Sequence, residues 1–353
     1  YAGIGLVGKL PPEEATKYAA DLGELASHKE ELIRQRAGIV LEKLGPAAAP
    51  AAAALGAAIP QEENGGLRDQ FIDALIAMGP AAKEALPTLL KLAAEESAPL
   101  AQRQRLISAI VAAAPDSKEV AAVLVKTADD PDQDVRASAA TAMAKLNPMP
   151  ADALAKLVSL AKNDRGTYVR IAAYRSLAVL GPRAAAVKSD VEALAKGKYP
   201  EFVLLAKVAL ASIGGDAAKA AADVRAGLTD RHPQVRAAAI GSLYFIGPAA
   251  ADLPAISRFL KDRDPTSREF AVKCLAKIGP AAKEAVPQLI KMLDDAEVLV
   301  RLAAIDVLGN LGLAAMPAVE KLKQLRGTDM AANPQLSPAA RKALEKLGVG
   351  GRK

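Results

Sequence analysis

The chain has 353 residues with 46 basic and 40 acidic side chains, a formal net charge of +6, which permits an acidic partner without demanding one. It is rich in Ala, lacks Trp and is only 3% aromatic, so its core is expected to come from close packing of small aliphatic side chains and not from ring burial. No apolar run of about 18 residues is present, so no membrane span is expected, and the single cysteine, Cys274, excludes an internal disulfide framework.

The chain opens at Tyr1 and not at Met, so a processed or truncated chain is expected, cytoplasmic or exported after signal removal. Gly3-Ile4-Gly5-Leu6-Val7-Gly8 spells a dinucleotide fingerprint. That motif works only between a strand and a helix, and no strand pattern surrounds it. Pro12 to Leu25 reads as a lone second helix of a repeat whose first helix would precede Tyr1.

From residue 45 onward a mark recurs every 32 to 35 residues: Gly45-Pro46, Gly79-Pro80, Ala114-Pro115, Asn147-Pro148, Gly181-Pro182, Gly214, Gly247-Pro248, Gly279-Pro280 and Gly312. A fixed period of this length indicates stacked supersecondary units. Eleven residues before the marks stand Arg34, Arg68, Arg103, Arg136, Arg170, Val203, Arg236, Arg268 and Arg301. Six residues before five of them stands an Asp: Asp130, Asp164, Asp230, Asp262 and Asp295.

Between Arg and mark the apolar residues fall on one helical face, as in Val235, Ala239, Leu243 and Ile246. Pro131, Pro233 and Pro265 are expected to open these first helices. The Gly, or Asn147, is expected to close them in the left-handed conformation. A second helix is expected after each mark, with Pro87 and Pro287 starting the helix proper after one preliminary turn. Ser337-Pro338 should cap a last helix ending at Gly348, after a longer loop over Gly327–Gln335.

The expected fold is all-α: a solenoid of about nine two-helix repeats over 29–326, with an incomplete repeat at 1–28 and a loop and capping helix at 327–353. The string Asp-x5-Arg, small residues, Leu-x-x-Leu/Ile-Gly-Pro-Ala-Ala-x-x-Ala-x-Pro-x-Leu-x-x-Leu resembles the HEAT repeat, especially the bacterial form named after phycobilisome lyases. The resemblance covers residues 12 to 348. It implies a right-handed superhelix with second helices on the concave face and a role in holding protein partners. Nucleic-acid binding and chromophore attachment are the alternatives it brings.

The Arg–Asp ladder suits fork-like bonding between neighbouring repeats better than a phosphate track. His28 and His232 are the only histidines and read as loop residues, so with one Cys no His/Cys metal cluster and no catalytic triad is expected. Asp129-Asp130-Pro131-Asp132 reads as a helix start, since no EF-hand spacing is present. Cys274 occupies a small-residue position and reads as a core hydrophobe.

No cofactor or metal is expected. The expected function is a non-catalytic scaffold for another protein. Candidate contacts are Lys91, Arg258, Gln288 and Lys291 on the concave face, and Tyr168, Tyr199 and Tyr244 among the aromatics clustered between 168 and 270.

Overall fold

A computed structural model describes residues 2–95, 98–327 and 335–349. Among these, helices and short connections account for the fold and no strand occurs. Packing divides the chain into two units, Tyr1–Val191 and Glu192–Lys353, and each is an α-solenoid of stacked helical repeats.

The first unit opens with α1 (Ala2–Val7), α2 (Pro12–Ala15) and α3 (Ala19–Glu24). Its repeats follow as α4 (Glu31–Leu44) with α5 (Ala52–Ala58), α6 (Gly65–Met78) with α7 (Leu86–Ala93), α8 (Leu100–Ala113) with α9 (Lys118–Thr127), and α10 (Gln133–Met143) with α11 (Ala151–Asn163). α12 (Thr167–Leu180) and the beginning of α13 (Lys188–Leu194) complete it. First helices pack side by side in chain order from α4 to α12, and second helices do the same from α5 to α11.

In the second unit the first helices α14 (Pro200–Ile213), α16 (Pro233–Ile246), α18 (Pro265–Ile278) and α20 (Val298–Asn310) form one row. Their second helices are α15 (Ala217–Gly227), α17 (Leu253–Phe259), α19 (Val286–Met292) and α21 (Val319–Arg326). α22 (Leu336–Lys346) lies on α20 and α21 and closes the apolar end of the row. No single hairpin could bury its own stripe, so neighbours bury it in turn. In α6 this places Leu67, Phe71, Ile72, Leu75 and Met78 in the core, each fully buried aliphatic stabilising by roughly 1.5–3 kcal/mol.

The marks between helices are tighter than the sequence suggests. Gly45–Ala51, Gly79–Ala85, Gly181–Val187, Gly279–Ala285 and Gly312–Ala318 are seven-residue 3₁₀ helices. A 3₁₀ helix eclipses side chains at i and i+3. Those positions are Ala48/Ala51, Ala82/Ala85, Ala282/Ala285 and Ala315/Ala318, all buried, and alanine is small enough to stack so. Pro87 and Pro287 stand in the first turn of α7 and α19, directly after the 3₁₀ segment.

Three local expectations are corrected. The glycines before Pro46, Pro80, Pro182 and Pro280 have positive φ but are not left-handed: Gly279 sits at φ 66°, ψ −137°. A following proline bars the residue before it from the α region, and the mirror image of extended backbone, open to glycine alone, satisfies both demands. Gly214, which has no proline after it, does adopt the left-handed conformation. Asn147 is not left-handed, since among the described residues only glycines have positive φ. α10 ends at Met143, and the Asn147 N–H donates to Pro115 O at 2.8 Å. Pro131 does not open α10, because Asp132 intervenes as N-cap and accepts from the N–H groups of Asp134 and Val135, whereas Pro233 and Pro265 are the first residues of their helices.

At the ends, Gly3 to Val7 lie within α1 and not between a strand and a helix, so the dinucleotide motif lacks its required setting. α22 starts at Leu336, and Ser337 Oγ donates to Arg326 O at 2.7 Å instead of capping. Most of the loop expected after Gly327 falls outside the described residues.

Candidate functional site: the outer face of the second helices

The arginine ladder has a definite geometry. Arg136 Nε and Nη2 donate to Asp164 Oδ2 and Oδ1 at 2.8 and 2.9 Å, while Nη1 donates to Asp130 O and Pro131 O at 2.9 and 3.0 Å. Arg268 repeats this with Asp295 at 2.7 and 2.8 Å and with Asp262 O at 2.9 Å. Each guanidinium therefore grips its own loop by two carbonyls and the next repeat by a carboxylate, a match to its planar fork. Asp130 and Asp295 serve two arginines each: the backbone carbonyl accepts from Arg136 and Arg301, six residues on, and the carboxylate from Arg103 and Arg268 of the repeat before.

The carboxylates have a second duty. Asp164 Oδ1 accepts the Gly166 N–H at 2.7 Å, and Asp295 Oδ1 the Glu297 N–H at 3.0 Å, so each fixes the turn that starts the next first helix. Glu62 is a rung the Asp spacing does not reveal: it takes Arg34 at 2.6 and 3.1 Å and the Asn64 N–H at 2.9 Å. Its position six residues before Arg68 was the available signal. His28 stands in for an acid, its Nδ1 accepting the Glu30 N–H at 3.0 Å. Arg170 donates to Ala161 O at 3.0 Å. Arg236 and Arg301 donate to the carbonyls of Asp230 and Asp295, respectively.

These contacts commit the charged groups at the loop edge to structure. The acid run before α10 is committed too: Asp129 pairs with Lys156 at 2.6 Å, Asp130 with Arg103 at 2.5 Å, and Asp132 caps the helix. Among the described residues no three His, Cys, Asp or Glu side chains gather in a set that would hold a metal ion, and no helix is long and apolar enough to cross a membrane.

Cys274 is fully buried, and burial pushes its thiol up to about 12. A thiol reacts as thiolate, so native protein is expected to leave Cys274 untouched by Ellman's reagent at pH 8. One equivalent should react after unfolding in guanidinium.

The predicted contact residues divide between two kinds of surface. Tyr168 on α12 and Tyr199 before α14 are 58% and 51% exposed, with Tyr199 edge-on to Phe202 at 6.1 Å. Tyr244 is not the free ring its off-face position suggests. It is half-buried against Phe245 and Phe270 at 5.4 and 5.8 Å, under Lys277 Nζ at 4.1 Å from its centroid. All three tyrosines belong to first helices or their caps. Lys91, Arg258, Gln288 and Lys291 stand on the second helices α7, α17 and α19.

On those helices the register repeats. Leu89, Leu124, Ile256 and Leu289 are fully buried, and two residues after each comes an exposed cation: Lys91, Lys126, Arg258 and Lys291. Two residues along a helix turn a side chain from core to solvent. Among the described residues none of the four forms an ion pair. α7, α17 and α19 contain no acid. Gln288 Oε1, one turn from Lys291, is buried without a hydrogen-bond donor, which is costly for an amide oxygen.

Segments 101–178 and 253–345 match the family described as HEAT repeats. No curated protein matches the chain. Among solved structures, an engineered protein aligns at 23% identity over 99% of both chains with a TM-score of 0.37. Human deoxyhypusine hydroxylase in complex with glycerol aligns at 18% identity over 75% of this chain and 96% of its own, TM-score 0.40. A Kap121p mutant aligns at 11% identity over 97% of this chain and 42% of its own, TM-score 0.44.

Proposed function

This chain is a HEAT-repeat protein, and from that premise we propose that it is a non-catalytic scaffold whose second helices hold a protein partner on their outer face. One observation carries the reading. The Arg34–Glu62, Arg103–Asp130, Arg136–Asp164 and Arg268–Asp295 rungs commit their charges to joining repeats, while Lys91, Arg258 and Lys291 stand exposed and form no ion pair among the described residues. Functional groups left unsatisfied by the fold are the ones available to another molecule. Tyr168 and Tyr199 stand on other elements and are not part of this face.

The test is a photo-crosslinking amino acid placed at Thr88 or Ala255, both beside the cations, and at Tyr168 as a comparison, in the source organism's extract. Discrete protein adducts from Thr88 and Ala255 that are absent from Tyr168 are expected. Adducts from Tyr168 alone, or from none of the three, would remove this face as the binding surface.

A further inference from the structure

The cation register is duplicated. In the first unit Lys91 and Lys126 occupy it on the consecutive second helices α7 and α9, and in the second unit Arg258 and Lys291 occupy it on α17 and α19. The duplication extends to the following helix. Lys156 on α11 and Lys321 on α21 each stand one residue before a fully buried leucine, Leu157 and Leu322. Each reaches back to the acid ending the previous second helix: Lys156 to Asp129 and Lys321 to Asp294, both at 2.6 Å. Each unit thus holds the same three-helix arrangement, with two free cations and a third neutralised by its own acid.

We infer that each unit carries its own copy of a docking stripe for an extended acidic polypeptide segment, giving two such sites per chain. This deepens the scaffold reading and rests on it. Charge complementarity selects the occupant, since Lys91, Lys126, Arg258 and Lys291 are cationic, no acid stands on α7, α17 or α19, and the one acid of α9, Glu119, accepts from Ser117 Oγ at the helix start. Spacing selects its form. Neighbouring helices pack about 8–10 Å apart, and a chain extended as polyproline II rises about 3.1 Å per residue with three residues per turn, so carboxylates three residues apart share a face and meet cations on consecutive repeats. A nucleic acid would find few exposed rings to stack on, because the second helices of both stripes contain one aromatic, Phe259, and it is buried.

The test is fluorescence anisotropy and calorimetry on the full chain with a labelled peptide bearing Glu at every third position, and with oligothymidylate of similar length, both at low salt. Two peptides per chain are expected. The pair K91E/K126E should leave one site, R258E/K291E should leave one, and the four together should leave none, with unchanged circular dichroism because all four residues are exposed. Tyr168→Glu should leave both. Raising the salt should weaken binding, as for any exposed charge pairing.

The inference falls if the peptide shows no saturable binding, if the stoichiometry ignores the charge reversals, or if oligothymidylate binds the same cations more tightly. The crosslinks at Thr88 and Ala255 do not depend on the partner's charge. Protein adducts there, together with failure of the acidic peptide, overturn the acidic specificity and leave the scaffold reading standing.

Discussion

Asp164→Ala is expected to destabilise the protein by about 3–5 kcal/mol, the cost of stranding a buried guanidinium. The side chains of Arg136 and Asp164 are only 6% and 7% exposed, so water cannot replace the two bonds that Nε and Nη2 lose. Arg136 would keep only the carbonyls of its own loop, and the connection to the next repeat would be gone, along with the acceptor for the Gly166 N–H. Urea melts followed by circular dichroism measure the loss. Replacing both partners, Arg136→Met with Asp164→Leu, should recover part of it, because no unpaired charge remains. A double variant as unstable as the single one would mean that the Asp164 contribution lies in the turn and not in the ion pair.

The same rungs set the acid limb of stability. Burial pushes the Asp164 carboxyl up, but Arg136 and the Gly166 N–H outweigh it and hold the group below its ordinary value. Asp295 is held low chiefly by Arg268, and Glu62 chiefly by Arg34, each against burial. A carboxyl depressed in the folded state contributes stability above its unfolded pKa of about 4, and that contribution disappears as pH falls through the folded value. These groups therefore leave stability level between pH 7 and 5 and erode it below about pH 4. Asp164→Asn should be less stable at neutral pH and lose less on acidification.

Much of this was legible in the sequence because it is periodic. The Arg, or Val203, eleven residues before each mark, and the apolar residues at −1, +3, +7 and +10 from it, placed the first helices α4 to α20. What escaped was where a local rule has two solutions. Gly-Pro indicates a helix end at positive φ, but the proline moves ψ out of the left-handed well, as at Gly279. Ala-rich segments such as Gly79–Ala85 read as helix, and only packing against neighbours decides between α and 3₁₀ winding. Bonding between neighbouring repeats was expected of the Arg–Asp ladder, but periodicity does not say which repeat each carboxylate reaches: Asp164 turns back to Arg136.

The candidate face was legible in part. Lys91, Arg258 and Lys291 are visible as cations on predicted second helices, whereas their shared register with Lys126 depends on the buried residue two positions before each, and burial is not written in the residue type. Tyr244 misled for a related reason. Its place off the apolar stripe suggested exposure, but Phe245 and Phe270 build an aromatic cluster outside that stripe.

Phe71→Ala is expected to cost about 3–5 kcal/mol, the usual range for emptying a buried phenylalanine site. With so few aromatics, this ring fills space that aliphatic neighbours cannot, and it is fully buried between α4 and α6. The facing residue explains why. A Cβ on Gly38 would lie 3.1 Å from Phe71 Cε1 and 3.2 Å from Cδ1, so the glycine in α4 is a steric concession to the ring and not a flexible point. Alanine at position 38 alone gains helix propensity but drives its methyl into the ring. In the Phe71→Ala background that methyl enters the vacated space, so the two substitutions should be strongly non-additive, with Gly38→Ala destabilising the wild type and stabilising the variant. Additive effects in a double-mutant cycle measured by urea denaturation would show that the ring does not fill the space facing Gly38.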